Sequence, residues 1–183
     1  WLKCHHPAAF LCAMLNAQPM GFYSAATLVE DAGRHGVEAR AVDVQRSETD
    51  CTLEPCAKSG EGFAVRMGLR YVKSLSRTDA DRIVAERERD PFTSLEDFSA
   101  RTRLDDGALA RLAESGALEC FKQSRRDTLW DVFGLERREE AELDFESTEP
   151  ETGFAPLNAF ETITWDYDYT AHSTRGHPLA PLR

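Results

Sequence analysis

The sequence predicts a mainly α-helical fold with one small antiparallel β-sheet, an α+β class. Apolar residues recur at helical spacing through most of the 183 residues. Alternating apolar and polar residues occur in three short runs, which predict two or three strands: 38–44, 51–53 and 63–69. Between 71 and 121, short helical patterns alternate with very short polar turns. These three observations together place a small sheet among short helices.

The first 37 residues predict two helices. Pro7 suits the first turn of a helix that runs to Ala17. Gln18-Pro19-Met20-Gly21 interrupts the pattern, and Ser24 is a good N-cap for a second helix that closes at Gly36. Four cationic side chains here either meet a phosphate or face solvent on a structural helix: Lys3, His5, His6 and Arg34.

Residues 71–121 predict two helix–hairpin–helix units in tandem. In the first unit Ser74-Leu75-Ser76 forms the turn, and Ser76 with Asp79 has the pattern of a capping box. In the second unit Thr93 with Glu96 repeats that pattern. Leu104-Asp105-Asp106-Gly107 is its turn, and Ser115-Gly116 ends its last helix.

The first turn is the candidate binding site for a nucleic-acid backbone. A tight turn that leads into a helix points several unpaired amides in one direction, with the helix dipole behind them, and this suits a phosphate oxygen. Such a contact ignores base sequence. The predicted DNA-backbone residues are Lys73, Ser74, Leu75, Ser76 and Arg77. The second turn presents Asp105 and Asp106 to a phosphate and is therefore expected to bind less well.

The net charge of −10 is concentrated in one part of the chain. Residues 127–168 carry 13 acidic and 2 basic side chains, whereas residues 65–126 carry 11 acidic and 13 basic ones. The hairpin stretch is therefore slightly basic, and contact with DNA remains compatible with the overall charge.

Five cysteines at irregular spacing favour a reducing compartment over a disulfide framework. Zinc is the alternative interpretation, because Cys4-His5-His6 and the pair Cys51 and Cys56 hold suitable ligand types. No familiar zinc spacing is present, so solvated or packed side chains are preferred and no metal site is assigned. The chain has no apolar run long enough to span a membrane and no signal-peptide core, which predicts a soluble, cytoplasmic protein.

No catalytic residue is assigned. The acidic side chains of the first hairpin helix lie on the face that is predicted to be solvent-exposed. The acidic cluster at 139–151 falls in a predicted linker. His172 and His177, near Ser173, are also interpreted as linker residues. No phosphate loop and no nucleophile–base pair is present in the sequence.

The chain after the hairpins predicts a helix, an acidic linker and a docking segment. Trp130 and Phe133 are three residues apart and are expected to pack that helix on the hairpin domain, so that Trp130→Ala lowers stability by about 3 kcal/mol. The stretch 154–169 is too apolar for free coil and is expected to dock.

Several of these motifs resemble the bacterial C-family DNA polymerases. Val72-Lys73-Ser74-Leu75-Ser76, then PFTSLEDF and LARLAESGAL, are similar to the tandem helix–hairpin–helix domain of that family. The run from WLKCHHPAAF to AVDV is similar to the end of its fingers domain, and QPMGFYS looks most like the error-prone paralogue of the DNA polymerase III alpha subunit. The likeness is close over 1–126 and looser over 127–183.

The resemblance implies a domain order. Residues 1–37 would end the fingers, 38–69 would form a connecting sheet, and 70–135 would form the tandem helix–hairpin–helix domain. Residues 136–183 would be an acidic linker and docking segment before a nucleic-acid-binding barrel of the OB type, which this chain lacks.

The resemblance also implies a function. The parent enzyme would be a DNA-directed DNA polymerase acting in damage-induced translesion synthesis and DNA repair. Its catalytic aspartates and Mg²⁺ would lie in a palm domain before this stretch, so the chain alone is expected to need no cofactor and to show no activity. Primer–template DNA is the expected partner, and a peptide at 128–133 is a candidate for binding the sliding clamp.

One departure from the family pattern bears on DNA binding. The family has glycine beside the first hairpin where this chain has Ser74 and Ser76, and serine reaches positive φ only at a cost. The second hypothesis for the function is a free-standing, non-catalytic DNA-binding or scaffold module. The missing initiator methionine favours a piece of a longer polymerase.

Overall fold

The computed structural model of the protein describes residues 1–59, 61–121, 124–140 and 153–179, and the side chains at 135–140 are outside this description. The described part confirms a mainly helical fold with one small sheet. Its helices are α1 Leu2–His5, α2 Pro7–Asn16, α3 Ala25–Arg34, α4 Arg77–Arg89, α5 Leu95–Thr102, α6 Asp106–Glu114, α7 Arg125–Glu140 and α8 Ala159–Thr170. Its strands are β1 Ala39–Arg40, β2 Thr52–Pro55 and β3 Phe63–Arg66, and a 3-10 turn spans Leu69–Tyr71.

The predicted N-terminal helix pair is confirmed. Pro7 opens α2, and Ser24 caps α3 by accepting a hydrogen bond from the Thr27 amide. The amide of Ala8, in the first turn of α2, donates to Glu61 Oε2 at 3.0 Å, so a residue 53 positions away supplies the cap. Leu11 and Leu15 are buried.

The sheet is mixed, which corrects the prediction of a purely antiparallel one. Its strand order is β1–β3–β2; β2 runs antiparallel to β3, and β1 runs parallel to β3, with Ala39 opposite Val65. The chain reverses once between β1 and β2 and again between β2 and β3. Two reversals give β1 and β3 the same direction. Because β3 lies between β1 and β2, it forms a parallel pair with β1.

One continuous core joins the sheet to the helices. Buried side chains of α2, α3 and β3 connect through Met67, Leu69 and Val72 to those of α4, α5 and α6. The hairpins are therefore held against the sheet by apolar packing.

The caps of the hairpin helices agree with prediction in one unit and not in the other. Ser76 caps α4, with the Asp79 amide donating to its Oγ at 3.1 Å. In the second unit the N-cap is Ser94, which accepts from the Asp97 amide, and not Thr93. Asp97 in turn accepts from the Thr93 amide at 3.0 Å. The cap is thus one residue later than predicted, and Phe92, just before it, is buried in the core.

Helix α7 packs through a different face than predicted. Val132 is fully buried and Leu129 is partly buried against the core, whereas Trp130 and Phe133 are 48% and 44% exposed. The Trp130 ring lies 5.6 Å from the Phe154 ring. Val132 therefore provides the core packing that Trp130 was expected to provide. The structure does not support a large loss of stability for Trp130→Ala.

The predicted docking of the C-terminal segment is confirmed, with unexpected anchors. Ile163, Asp166 and Thr170 are the buried residues of α8. His172 and Ser173 are also buried, which corrects their interpretation as linker residues. The predicted acidic cluster at 139–151 falls almost entirely outside the described residues. None of the helices in the described ranges has the length and apolarity to cross a membrane.

Candidate nucleic-acid interface

The first hairpin is a tight turn with one residue in the left-handed region. Ser74 has φ +63°, a backbone conformation that glycine adopts readily and serine only at a cost. The residue is exposed. Leu75 is partly buried against the core, and its amide donates to Val72 O at 3.3 Å. The turn is thus anchored by one apolar side chain while its neighbours face solvent.

Three amides at the start of α4 point away from the helix without an intrahelical acceptor. The first intrahelical bond is donated by the Ala80 amide to Ser76 O at 3.0 Å, and the Asp79 amide is taken by Ser76 Oγ. The amides that precede them, at Ser76, Arg77 and Thr78, belong to exposed residues. They form the amide cluster at the positive end of the α4 dipole.

Two predicted cations flank this amide cluster, and both are exposed, but Lys73 is already hydrogen-bonded to α8. The Arg77 side chain is 72% exposed, with Asp50 at 3.7 Å and Asp81 at 3.9 Å. Lys73 is occupied instead: its Nζ donates to Tyr167 O at 3.0 Å and to Asp168 O at 2.6 Å, in the last turn of α8. The Lys73 amide donates to Tyr169 O at 2.9 Å.

The second hairpin uses its first aspartate as a cap. Asp105 accepts from the Ala108 amide at 2.7 Å, so this carboxylate already serves the N-terminus of α6. Arg103 precedes it at φ +48° and is exposed. Arg82 Nη1 donates to Thr102 O at 3.2 Å and fixes the entry to the turn. The structure places a carboxylate where the first hairpin has a hydroxyl, and the weaker binding of the second hairpin stays a prediction.

The four N-terminal cationic candidates are scattered, and three of them have carboxylate partners. Lys3 pairs with Asp31 at 2.8 Å, Arg34 pairs with Glu30 at 2.6 Å, and His6 lies 3.4 Å from Glu61. His5 stacks on the Trp1 ring at 4.8 Å. The structure does not bring them together with the hairpin residues.

The cysteines are placed individually. Within 1–59, 61–121, 124–140 and 153–179, no group of three histidine, cysteine or acidic side chains could hold a metal ion. Burial raises the pKa of the Cys51 thiol to about 12, and its Sγ accepts from the Gly68 amide at 3.4 Å. Cys56 donates to Glu38. The zinc interpretation therefore finds no site among these residues.

A buried ionic network that sequence reasoning missed fixes α8 to the second hairpin unit. The Arg125 side chain is 2% exposed and donates to Glu119 and Asp166, both at 2.6 Å. Ser173 and Arg175 complete the network around Asp166 and Glu119. Gly116, at φ +80°, leaves room for the guanidinium, since a Cβ there would lie 2.5 Å from Arg125 Nε. The sequence predicts only that Gly116 ends a helix, and it does not indicate the contact with Arg125.

His172 closes the docked segment against the first hairpin unit. Its ring meets Tyr71 edge-on at 5.4 Å, and Nδ1 bonds Thr170 O at 2.8 Å. Burial lowers the pKa of His172 below its usual value, and the carboxylate of Asp166 opposes this only in part. Its ring contact with Tyr71 and its hydrogen bond to Thr170 give His172 a structural role.

Comparison with known proteins agrees with this geometry. The family described as "Helix-hairpin-helix motif" matches residues 36–128, which include both hairpins. The chain is 44% identical over its whole length to the "Error-prone DNA polymerase" of Aromatoleum aromaticum and 39% identical to that of Methylococcus capsulatus. It is 42% identical to "Error-prone DNA polymerase 2" of Agrobacterium fabrum.

The chain spans 17%, 19% and 18% of these three relatives, which is less than a fifth of each. The three identities, each over the full length of this chain, confirm the resemblance that the sequence motifs indicated. A match that covers more than half of the chain, on the segment that carries both turns, shows that the protein belongs to the helix-hairpin-helix motif family.

Proposed function

We propose that this chain is the part of an error-prone DNA polymerase that holds the DNA backbone through its first hairpin. The amide cluster at the start of α4 carries this proposal. It combines three N–H groups of exposed residues with a positive helix end, inside the segment that matches the helix-hairpin-helix family.

The proposed contact is one phosphate on the turn, with neighbours held by side chains. The amides of Ser76, Arg77 and Thr78 would donate to phosphate oxygens, and the packing of Leu75 against the core would hold the turn in place. Arg77 would supply an exposed charge, and Lys73 would supply the hydrogen of its ammonium that α8 does not take. Because no base edge is involved, binding would be indifferent to sequence.

Chemistry is proposed to occur elsewhere in the parent protein. Nucleotidyl transfer uses carboxylates that converge on two metal ions. In the parent protein, Mg²⁺ and the catalytic aspartates would belong to a palm domain, with the whole enzyme acting in translesion synthesis and repair in the cytoplasm. A sliding clamp remains a candidate partner, since Trp130 and Phe133 are partly exposed.

The test is DNA binding by Lys73→Glu combined with Arg77→Glu. The unmodified chain is expected to bind a primer–template duplex weakly, with log K falling against log salt at a slope of about −2 to −4, taking about −0.9 for each phosphate. The double variant should lose this binding, as measured by fluorescence anisotropy.

The matched control is Arg46→Glu combined with Arg89→Glu, which makes the same charge change at two exposed sites far from the turn. It should weaken binding only slightly. Equal binding by the Lys73/Arg77 variant and the parent chain would rule out the first hairpin as the DNA contact.

A further inference from the structure

Helix α8 ends on the first hairpin and occupies one of its cations. Two carbonyls of the last turn of α8 accept from Lys73 Nζ, and a third accepts from the Lys73 amide. Carbonyls at a helix C-terminus carry the negative end of the helix dipole. The positive end of α4 and the negative end of α8 therefore lie on either side of Lys73.

This contact is held by a docking interface that is separate from the hairpin itself. Ile163 is buried, and Asp166, which is also buried on α8, pairs with Arg125 at 2.6 Å. Arg111 lies over the Tyr169 ring at 5.7 Å. Release of α8 would free Lys73 without removing any residue of the turn between Ser74 and Arg77.

We infer that α8 is an intramolecular competitor of DNA: in its docked position it occupies two of the three ammonium hydrogens of Lys73 and weakens phosphate binding at the first hairpin. This inference rests on the proposed function. A phosphate would find one free ammonium hydrogen on Lys73 while α8 is docked and three after its release, so DNA binding and α8 docking oppose each other. The DNA-binding strength of the hairpin is then set by the fraction of molecules with α8 released.

Ile163→Asp in the full chain tests the inference, because a buried carboxylate at that position opposes docking. The variant is expected to bind duplex DNA roughly three- to tenfold more tightly than the parent. Its log K should fall more steeply with log salt by about 0.9, the value for one added phosphate contact. Adding Lys73→Met to Ile163→Asp should erase the gain.

Thr164→Asp is the matched control. It adds the same charge one residue away on the exposed side of α8 and should leave DNA affinity close to that of the parent. Hydrogen exchange reports the docking state, since the Lys73 amide loses its acceptor, Tyr169 O, when α8 is released. If Ile163→Asp disturbs the hairpin helices, the milder Asp166→Asn replaces it and should show the same direction of change.

The outcomes separate the two proposals. Faster exchange at Lys73 with unchanged or weaker DNA binding overturns the competition while leaving the hairpin site in place, provided that Lys73→Glu with Arg77→Glu still loses binding. If that double variant binds like the parent, or if neither the parent nor the Ile163→Asp chain binds, the hairpin site and the competition both fail. Binding by the Ile163→Asp chain alone, dependent on Lys73, supports both.

Discussion

Gly68→Ala is expected to destabilise the fold by about 3 kcal/mol, because the new methyl group would overlap backbone atoms. Its Cβ would lie 2.6 Å from Thr49 O and 2.8 Å from Asp50 Cα, and it would also contact Asp50 C. The glycine is extended, at φ −78° and ψ 156°, so the requirement is for space and not for an unusual backbone conformation.

The facing backbone cannot move aside at this point. Leu69 N donates to Glu48 O at 2.9 Å, and Arg70 N donates to Thr49 O at 3.0 Å, which hold 48–50 against the segment between β3 and the first hairpin. The loss should therefore appear as a lower midpoint in urea denaturation.

Gly33→Ala is the matched control for Gly68→Ala. Gly33 lies inside α3, and a Cβ there meets no atom within 4 Å. Alanine favours helix over glycine, so this change should raise stability by about 0.5–1 kcal/mol. A Gly68→Ala chain as stable as the parent would show that the two segments are not in contact.

Asp166→Ala is expected to weaken the docking of α8 by about 3 kcal/mol, since it leaves the buried Arg125 guanidinium with only Glu119 as a charged partner. Arg125 Nη1 already lacks a hydrogen-bond acceptor among the described residues, so no further acceptor there replaces the lost carboxylate of Asp166. Faster hydrogen exchange at the Lys73 amide and a lower melting temperature should follow.

Asp168→Ala provides the comparison, because Asp168 is on the same helix and exposed. Its effect should stay within about 0.5 kcal/mol, as for surface substitutions in general. Equal exchange rates in the two variants would contradict the role given to the Arg125 network.

Local features of this fold follow from the sequence, and distant contacts do not. Ser24 and Ser76 are correctly predicted caps because the donor lies three residues from the acceptor. Thr93 and Ser94 both have a suitable partner three residues on, and the structure has Ser94 as the cap. Local pattern alone leaves that choice open.

In the candidate site, the contacts of Lys73 are the clearest example of contacts that the sequence does not predict. The sequence indicates that Lys73 flanks a phosphate-binding turn, but its acceptors are 94 and 95 residues away. No periodicity links positions so far apart. In the same way, spacing along α7 allowed either Trp130 or Val132 to face the core, and only the packing of the neighbouring helices selects Val132.

The proposal that the amides at the start of α4 bind phosphate is tested by amide chemical shifts in a ¹⁵N-labelled chain titrated with duplex DNA. It predicts that the largest shifts occur at Ser76, Arg77 and Thr78. The corresponding amides at the start of α3, which has the same kind of serine cap, should stay unchanged. Shifts of equal size at both helix ends, or shifts confined to the second hairpin, would contradict it.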